Sequence, residues 1–169
     1  GTYGNSLLVS DLTKKNGKFI NIINDFESEV SVIEEINGSL LVITDRGAPN
    51  KKIVLIDPKN PDEKNWKTII LEKKYPLTVA NLINGKIIVH YMADVISTYK
   101  IHDIKGNFIK DIKLPGPGVS YGFGGSKNQS ISWYNFESLV HPPTVYMYDF
   151  ENDTSNEYYM SKAKFDKDK

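Results

Sequence analysis

The 169-residue sequence contains no cysteine, which excludes disulfides, zinc–thiolate sites and a cysteine nucleophile. It has no excess of either charge: Lys plus Arg total 21, Asp plus Glu total 21, and the two signs are interspersed. No broad basic field is therefore available to attract nucleic acid or anionic lipid, and nucleic acid is not expected as a partner. No apolar run approaches the roughly 20 residues of a membrane span, and no signal peptide is recognisable, so no membrane partner is expected either. The lack of cysteine does not choose a compartment. The expectation is cytoplasmic, with a periplasmic or secreted protein as the alternative if an upstream signal precedes the chain. Helical periodicity is also scarce, because apolar positions alternate and the strand-like runs are rich in Val, Ile, Tyr and Phe. The one helical candidate is residues 61–66, where Pro61-Asp62-Glu63 can open a single turn or a loop that carries Trp66 onto the next strand.

What the sequence has instead is a repeat. Asp11, Asp57, Asp103 and Asp149 recur at a constant stride of 46 residues. Four residues before each stands Leu7, Ile53, Tyr99 or Val145, and two before stands Val9, Leu55, Ile101 or Met147. The same apolar edge of a period-two strand is thus repeated four times. A stride of about 40 to 50 residues holding several short strands is the size of a propeller blade. The fold expected is all-β, a partial β-propeller of about three and a half four-stranded antiparallel blades. A closed ring needs roughly four to eight blades, so the chain reads as a fragment, opening in mid-pattern at Gly1-Thr2-Tyr3-Gly4.

Along the chain, residues 6–11 and 19–23 read as two strands with a turn around Lys14-Lys15-Asn16-Gly17, the outer half of a blade spanning 1–26. The blade at 27–72 has strands at 29–36, 40–44, 52–57 and 67–71, the first pair joined by Asn37-Gly38. The blade at 73–114 has strands at 78–83, 86–92, 97–103 and 108–113, again with an Asn-Gly turn at Asn84-Gly85. The blade at 115–161 has strands at 119–123, 129–136, 144–149 and, weakly, 156–161. Residues 162–169 turn charged and read as a linker.

Several longer stretches are more specific than a generic blade requires. Thr44-Asp45-Arg46-Gly47-Ala48-Pro49-Asn50-Lys51-Lys52-Ile53-Val54 and Asn60-Pro61-Asp62-Glu63-Lys64-Asn65-Trp66-Lys67-Thr68 are followed by Leu114-Pro115-Gly116-Pro117-Gly118. Then come Gly122-Phe123-Gly124-Gly125, Pro142-Pro143-Thr144-Val145-Tyr146 and Tyr148-Asp149. In this order and spacing, over nearly the whole chain, they resemble the propeller of the prolyl oligopeptidase family. The resemblance implies the C-terminal half of a seven-bladed propeller, ending just before a peptidase domain resumes. It further implies a parent serine peptidase of α/β-hydrolase fold that cleaves short peptides after proline, its Ser, Asp and His lying in that other domain. The implied partners are that peptidase domain and short peptides. The propeller would be scaffold and substrate gate, inactive alone, with no catalytic residue and no cofactor. The alternative is a non-catalytic propeller that binds protein or ligand.

Gly118-Val119-Ser120-Tyr121-Gly122 matches G-x-S-x-G, the nucleophile elbow of hydrolases. The elbow needs a following helix, whereas Phe123-Gly124-Gly125-Ser126 leads into another strand; Ser120 is read as a strand residue and not as the nucleophile of a small self-contained hydrolase. His90, His102 and His141 have no second ligand at metal spacing, so no metal is expected. His102, opposite the apolar pair of its strand, is expected to be partly solvated. His141 is placed in a loop after Ser138-Leu139-Val140. The acidic series Asp149, Glu151, Asp153, Glu157 lacks the glycine of a calcium loop and reads as a solvated turn. Asn37-Gly38-Ser39, Asn128-Gln129-Ser130 and Asn152-Asp153-Thr154 are formal glycosylation triplets without weight in an Asn-rich chain. Trp66, Trp133, Tyr134 and Phe136 are expected to pack between blades. The segment 45–50 reads as a rigid turn, since Pro pre-sets φ and Asp and Asn can bond nearby backbone. Connections between second and third strands leave one face of a propeller, so Asp45, Arg46, Asn50 and His141 are the candidate residues facing the peptidase domain. An open arc also exposes blade faces and strand edges, and self-association of the fragment is expected.

Overall fold

Alternating apolar residues become extended strands throughout. The structure, a computed structural model, describes residues 3–161, and the charged segment 162–169 lies outside them. Fourteen strands form among the described residues: β1 (Leu7–Val9), β2 (Ile20–Ile23), β3 (Val30–Ile36), β4 (Ser39–Thr44), β5 (Lys52–Ile56), β6 (Lys67–Ile70) and β7 (Leu77–Ile83). They continue as β8 (Lys86–Ala93), β9 (Ile96–His102), β10 (Phe108–Ile112), β11 (Val119–Gly122), β12 (Ile131–Ser138), β13 (His141–Asp149) and β14 (Thr154–Met160). Within each sheet every strand bonds the next in sequence, giving one two-stranded sheet, β1-β2, and three four-stranded sheets, β3-β6, β7-β10 and β11-β14. This is the blade grouping that the 46-residue stride predicts. Residues 61–66 form a loop with one 3-10 turn at Glu63–Asn65, and the Trp66 indole donates to the Pro61 carbonyl at 2.8 Å.

Two compact units divide the chain, Gly1–Leu77 and Thr78–Lys169. In the first, Ile22 and Ile23 of β2 pack with Val30, Leu40, Val42, Val54 and Ile56, joined by Leu7, Val9 and Trp66. The apolar pair before Asp11 therefore faces the sheet β3-β6. In the second unit, Ile83, Ile88, Tyr99, Ile101 and Ile112 of one sheet meet Phe123, Tyr134, Phe136, Tyr148 and Phe150 of the next. Phe123 is at the centre, its ring 4.6 Å from that of Tyr99 and 4.7 Å from that of Tyr134. Phe123 reaches this place from a left-handed backbone, φ +56°, a conformation uncommon outside glycine.

Two local expectations are corrected. His102 is buried, not partly solvated: it is 5% exposed, its Nδ1 is 3.0 Å from the Gly106 carbonyl, and its ring meets Phe108 edge-on. His141, Pro142 and Pro143 belong to strand β13, because Ser138 pairs with His141 across a tight turn at Leu139-Val140. The prolines sit at the start of the strand, before the Thr144–Met160 pair opens the ladder with β14, so their missing N–H groups interrupt no bond there.

Candidate functional site

The four repeated aspartates share one structural task. Oδ1 of Asp11, Asp57, Asp103 and Asp149 accepts the backbone N–H two residues ahead, from Thr13, Lys59, Lys105 and Glu151, at 3.0, 2.9, 2.8 and 2.8 Å. Each carboxylate thereby shapes a strand-to-strand turn: β1 to β2 for Asp11, and third strand to fourth of a four-stranded sheet for Asp57, Asp103 and Asp149. Asn107 and Asn152 add side-chain donors to Asp103 and Asp149 at 2.7 and 2.8 Å. Hydrogen bonding from Thr13, Asn107 and Asn152 holds the carboxyls of Asp11, Asp103 and Asp149 below the usual carboxylate range. The acidic series beginning at Asp149 is accordingly a set of turn contacts: Asp153 accepts from the Tyr148 hydroxyl and pairs with Lys110.

The G-x-S-x-G segment lies in β11, paired with β12 from Val119↔Glu137 to Gly122↔Tyr134. Ser120 is fully buried; its hydroxyl donates to the Asn135 carbonyl at 2.6 Å, and its N–H donates to Ser97 Oγ at 2.9 Å. The Tyr99 hydroxyl donates to the Ser120 carbonyl at 3.1 Å, and burial pushes that phenol up to about 12. Close packing explains the first glycine of the motif: a Cβ on Gly118 would stand 2.4 Å from the Glu137 carbonyl oxygen and 2.8 Å from the Phe136 ring. No imidazole is bonded to Ser120. His90 is stacked on Tyr99 at 4.6 Å and bonded through Nδ1 to the Thr78 hydroxyl at 2.5 Å, and burial lowers its pKa. Among the described residues, no group of three His, Asp or Glu side chains converges on a metal position.

The β4–β5 connection brings Asp45, Arg46 and Asn50 together in the first unit. Asp45 accepts the Glu29 N–H at 2.7 Å and the Tyr3 hydroxyl at 2.9 Å. Arg46 forks onto Asp25 at 2.9 and 3.0 Å and donates through Nε to Glu63 at 2.8 Å. The two carboxylates raise the guanidinium pKa, and the hydrogen bond from Arg46 lowers that of Asp25. Asn50 donates from its amide to the Lys73 and Lys74 carbonyls, both at 3.2 Å, and its carbonyl accepts the Leu77 N–H at 2.9 Å. The loop is thus stitched to the segments entering β3, β6 and β7. The Asp25 and Glu63 partners were not found from sequence reasoning. The one available signal is that Arg46 is the sole arginine of a chain with 21 basic residues, and a planar fork suits two carboxylates as lysine does not.

His141 is in the second unit, on the β12–β13 hairpin. Its Nδ1 is 2.9 Å from the Pro142 carbonyl and its Nε2 is 3.1 Å from the Tyr146 hydroxyl, while Phe136 meets the ring edge-on. Beyond Tyr146, a groove of about 560 Å³ runs along Tyr134, Tyr148, Leu114, Pro115, Lys113 and Ser155. Its ring walls are closed from within: the Tyr134 and Ser155 hydroxyls are 2.5 Å apart, and Tyr148 is bonded to Asp153.

The family model described as "Prolyl oligopeptidase, N-terminal beta-propeller domain" matches residues 1–160. A prolyl endopeptidase of Elizabethkingia meningoseptica is 38% identical over 164 residues, 97% of this chain and 23% of that protein. A prolyl endopeptidase of Dictyostelium discoideum is 31% identical over 125 residues, 69% of this chain and 16% of that protein. The chain thus spans about a quarter or less of the length of these relatives. Among solved structures, one of a study of two prolyl endopeptidases superposes with TM-score 0.89 at 21% identity, over 99% of this chain and 24% of that one. Prolyl oligopeptidase B of Galerina marginata without ligand superposes with TM-score 0.86 at 19% identity, over 98% of this chain and 24% of that one. The repeat, the grouping of strands in fours and the match from residue 1 to residue 160 all lead to one assignment: the chain belongs to the prolyl oligopeptidase N-terminal β-propeller family.

Proposed function

We propose that this chain is the scaffold and substrate gate of a prolyl oligopeptidase-like serine peptidase that cleaves short peptides after proline, with the bond-breaking groups on a separate peptidase domain of the same polypeptide. The observation that carries this reading is the fate of Ser120. The one serine in a hydrolase-like motif has no solvent access, gives its hydroxyl to a backbone carbonyl and lacks a histidine base. A chain similar over 97% of its length to a prolyl endopeptidase, yet covering 23% of that protein, supports placing the chemistry elsewhere.

In this reading the connections between second and third strands face the peptidase domain, and Asp45, Arg46, Asn50 and His141 keep those connections in shape. Their polar atoms are bonded within their own units, which supports a rigid rim more than a set of free contact groups. A rigid rim excludes large folded substrates because widening it would cost the bonds that close each loop. The compartment we propose is the cytoplasm. The test is to express the chain alone and within its full open reading frame, and to assay each with a chromogenic proline-containing peptide and a fluorophosphonate probe. Activity and labelling confined to the longer protein are expected; labelling of the chain alone would overturn the proposal.

A further inference from the structure

Three Asn-Gly pairs occur in the chain, at residues 16–17, 37–38 and 84–85. Such a pair is chemically labile, because glycine leaves its backbone nitrogen unshielded beside the amide carbon of the asparagine. That nitrogen must lose its proton to become a nucleophile, so the acceptor of the glycine N–H decides whether the folded chain permits the reaction.

In two of the pairs the acceptor is a backbone carbonyl, which cannot take a proton. Gly17 donates to the Lys14 carbonyl at 3.2 Å, and Gly85 donates to the Lys127 carbonyl at 2.9 Å. Gly17 is also crowded, since a Cβ on it would stand 2.5 Å from the Asp11 carbonyl oxygen. The third pair is built differently. Asn37-Gly38 closes the β3–β4 hairpin between Ile36 and Ser39, with φ of +50° and +83°. Here the Gly38 N–H donates to the Glu35 side-chain carboxylate. Both turn residues are exposed, and nothing lies within 4 Å of a Cβ on Gly38. Residues 35–38 therefore hold a nucleophile, an electrophilic amide and a proton acceptor together, with open space for water.

We infer that Asn37 is a self-modification site, deamidated with Glu35 as general base. The Glu35 carboxylate takes the Gly38 amide proton as that nitrogen forms a bond to Asn37 Cγ. The resulting tetrahedral carbon breaks its bond to the side-chain nitrogen, which takes the proton back from Glu35 and leaves as ammonia. Water then opens the five-membered imide at either carbonyl. One product is aspartate at position 37; the other is isoaspartate, in which the main chain runs through the side-chain carbon. Either product weakens the hairpin. Aspartate adds a carboxylate beside Glu34 and Glu35. Isoaspartate adds a methylene to the main chain of a turn whose length fixes the Ile36–Ser39 register.

The experiment incubates the purified chain at neutral pH and follows all three pairs by peptide mass mapping, with isoaspartate read by enzymatic methylation. Asn37 is expected to deamidate about tenfold faster than Asn16 and Asn84, less than the roughly 100-fold of a fixed general base because the Glu35 side chain is exposed. Glu35→Gln keeps an oxygen acceptor but no base, and is expected to slow Asn37 by about the same factor, leaving Asn16 and Asn84 unchanged. The same map in concentrated urea controls for folding: there the three rates are expected to converge. Equal rates at the three pairs in the folded chain would overturn the inference, as would Asn84 reacting first. An Asn37 rate that is unchanged or faster in a Glu35→Gln variant with a wild-type circular dichroism melt would overturn the role of Glu35. If that variant melts lower, the wild-type comparison of folded with urea-unfolded chain decides: the fast reaction at Asn37 must disappear on unfolding, and its persistence would overturn the inference.

Discussion

Replacing Ser120 by alanine separates a structural serine from a catalytic one. In the folded chain its hydroxyl is inaccessible and donates at 2.6 Å to the Asn135 carbonyl on the paired strand. Alanine removes that bond and leaves the carbonyl with one fewer donor in a site closed to water. A neutral buried hydrogen bond contributes about 1 kcal/mol, which for a unit of this size lowers the melting temperature by roughly 2–8 °C. The methyl group itself fits, since nothing larger than the hydroxyl is being replaced. Circular dichroism melts give the stability change, and fluorophosphonate labelling with in-gel detection gives the reactivity. The expected result is a lowered melt with no labelling of either wild type or variant. Labelling of the wild-type chain that disappears in Ser120→Ala would refute the structural role and make β11 part of an active site.

Three further outcomes follow from the same packing. Gly118→Ala places a Cβ 2.4 Å from the Glu137 carbonyl oxygen, an overpacking that costs about 1–3 kcal/mol. Gly116→Ala, where nothing lies within 4 Å, should leave the melt unchanged; equal effects in the two variants would contradict the close approach of β11 and β12. Stability should fall on acidification in two stages. The folded-state pKa of His90 is lowered by burial, so its contribution is complete above its unfolded value of about 6.5 and is lost as pH falls below it. Asp11, Asp103 and Asp149, also lowered, contribute above about 3.9 and lose that contribution as pH falls further. A urea midpoint independent of pH between 7 and 3 would refute both assignments. Tyr121, Trp133 and Tyr159, at 57%, 43% and 59% exposure, share the outer face of the sheet β11-β14 with Val145 and Met147. Light scattering should therefore give a mass above the 19.1 kDa monomer, reduced by Trp133→Lys; a monomer at high concentration would contradict it.

Much of the fold was legible because the strands carry their own punctuation. Asn37-Gly38 and Asn84-Gly85 mark hairpins closed by a left-handed pair, and the four aspartates mark the outer turns. The repeat was visible as spacing, but the reason for it was not: a hydrogen bond from Asp57 Oδ1 to the Lys59 N–H is a property of coordinates. His102 was misplaced because alternation implies one wet face, whereas here the ring turns back onto Gly106 and Phe108. The rim residues show a similar limit. Arg46 could be singled out as the sole arginine, but its carboxylate partners lie 21 and 17 residues away, at Asp25 and Glu63. Local propensity does not encode such distant pairing. Pro142-Pro143 argued for a loop on composition, yet a strand tolerates them where its ladder has not begun.

The central claim is that the recurring apolar stride makes each blade's second and third strands pair in the same way. Cross-strand nuclear Overhauser effects test it directly, at Val42 with Val54 and Ile88 with Ile101, and at Tyr134 with Tyr146. The account predicts contacts at all three pairs. Runs of sequential amide–amide contacts typical of helix through these segments, or pairing between strands of different sheets, would contradict it.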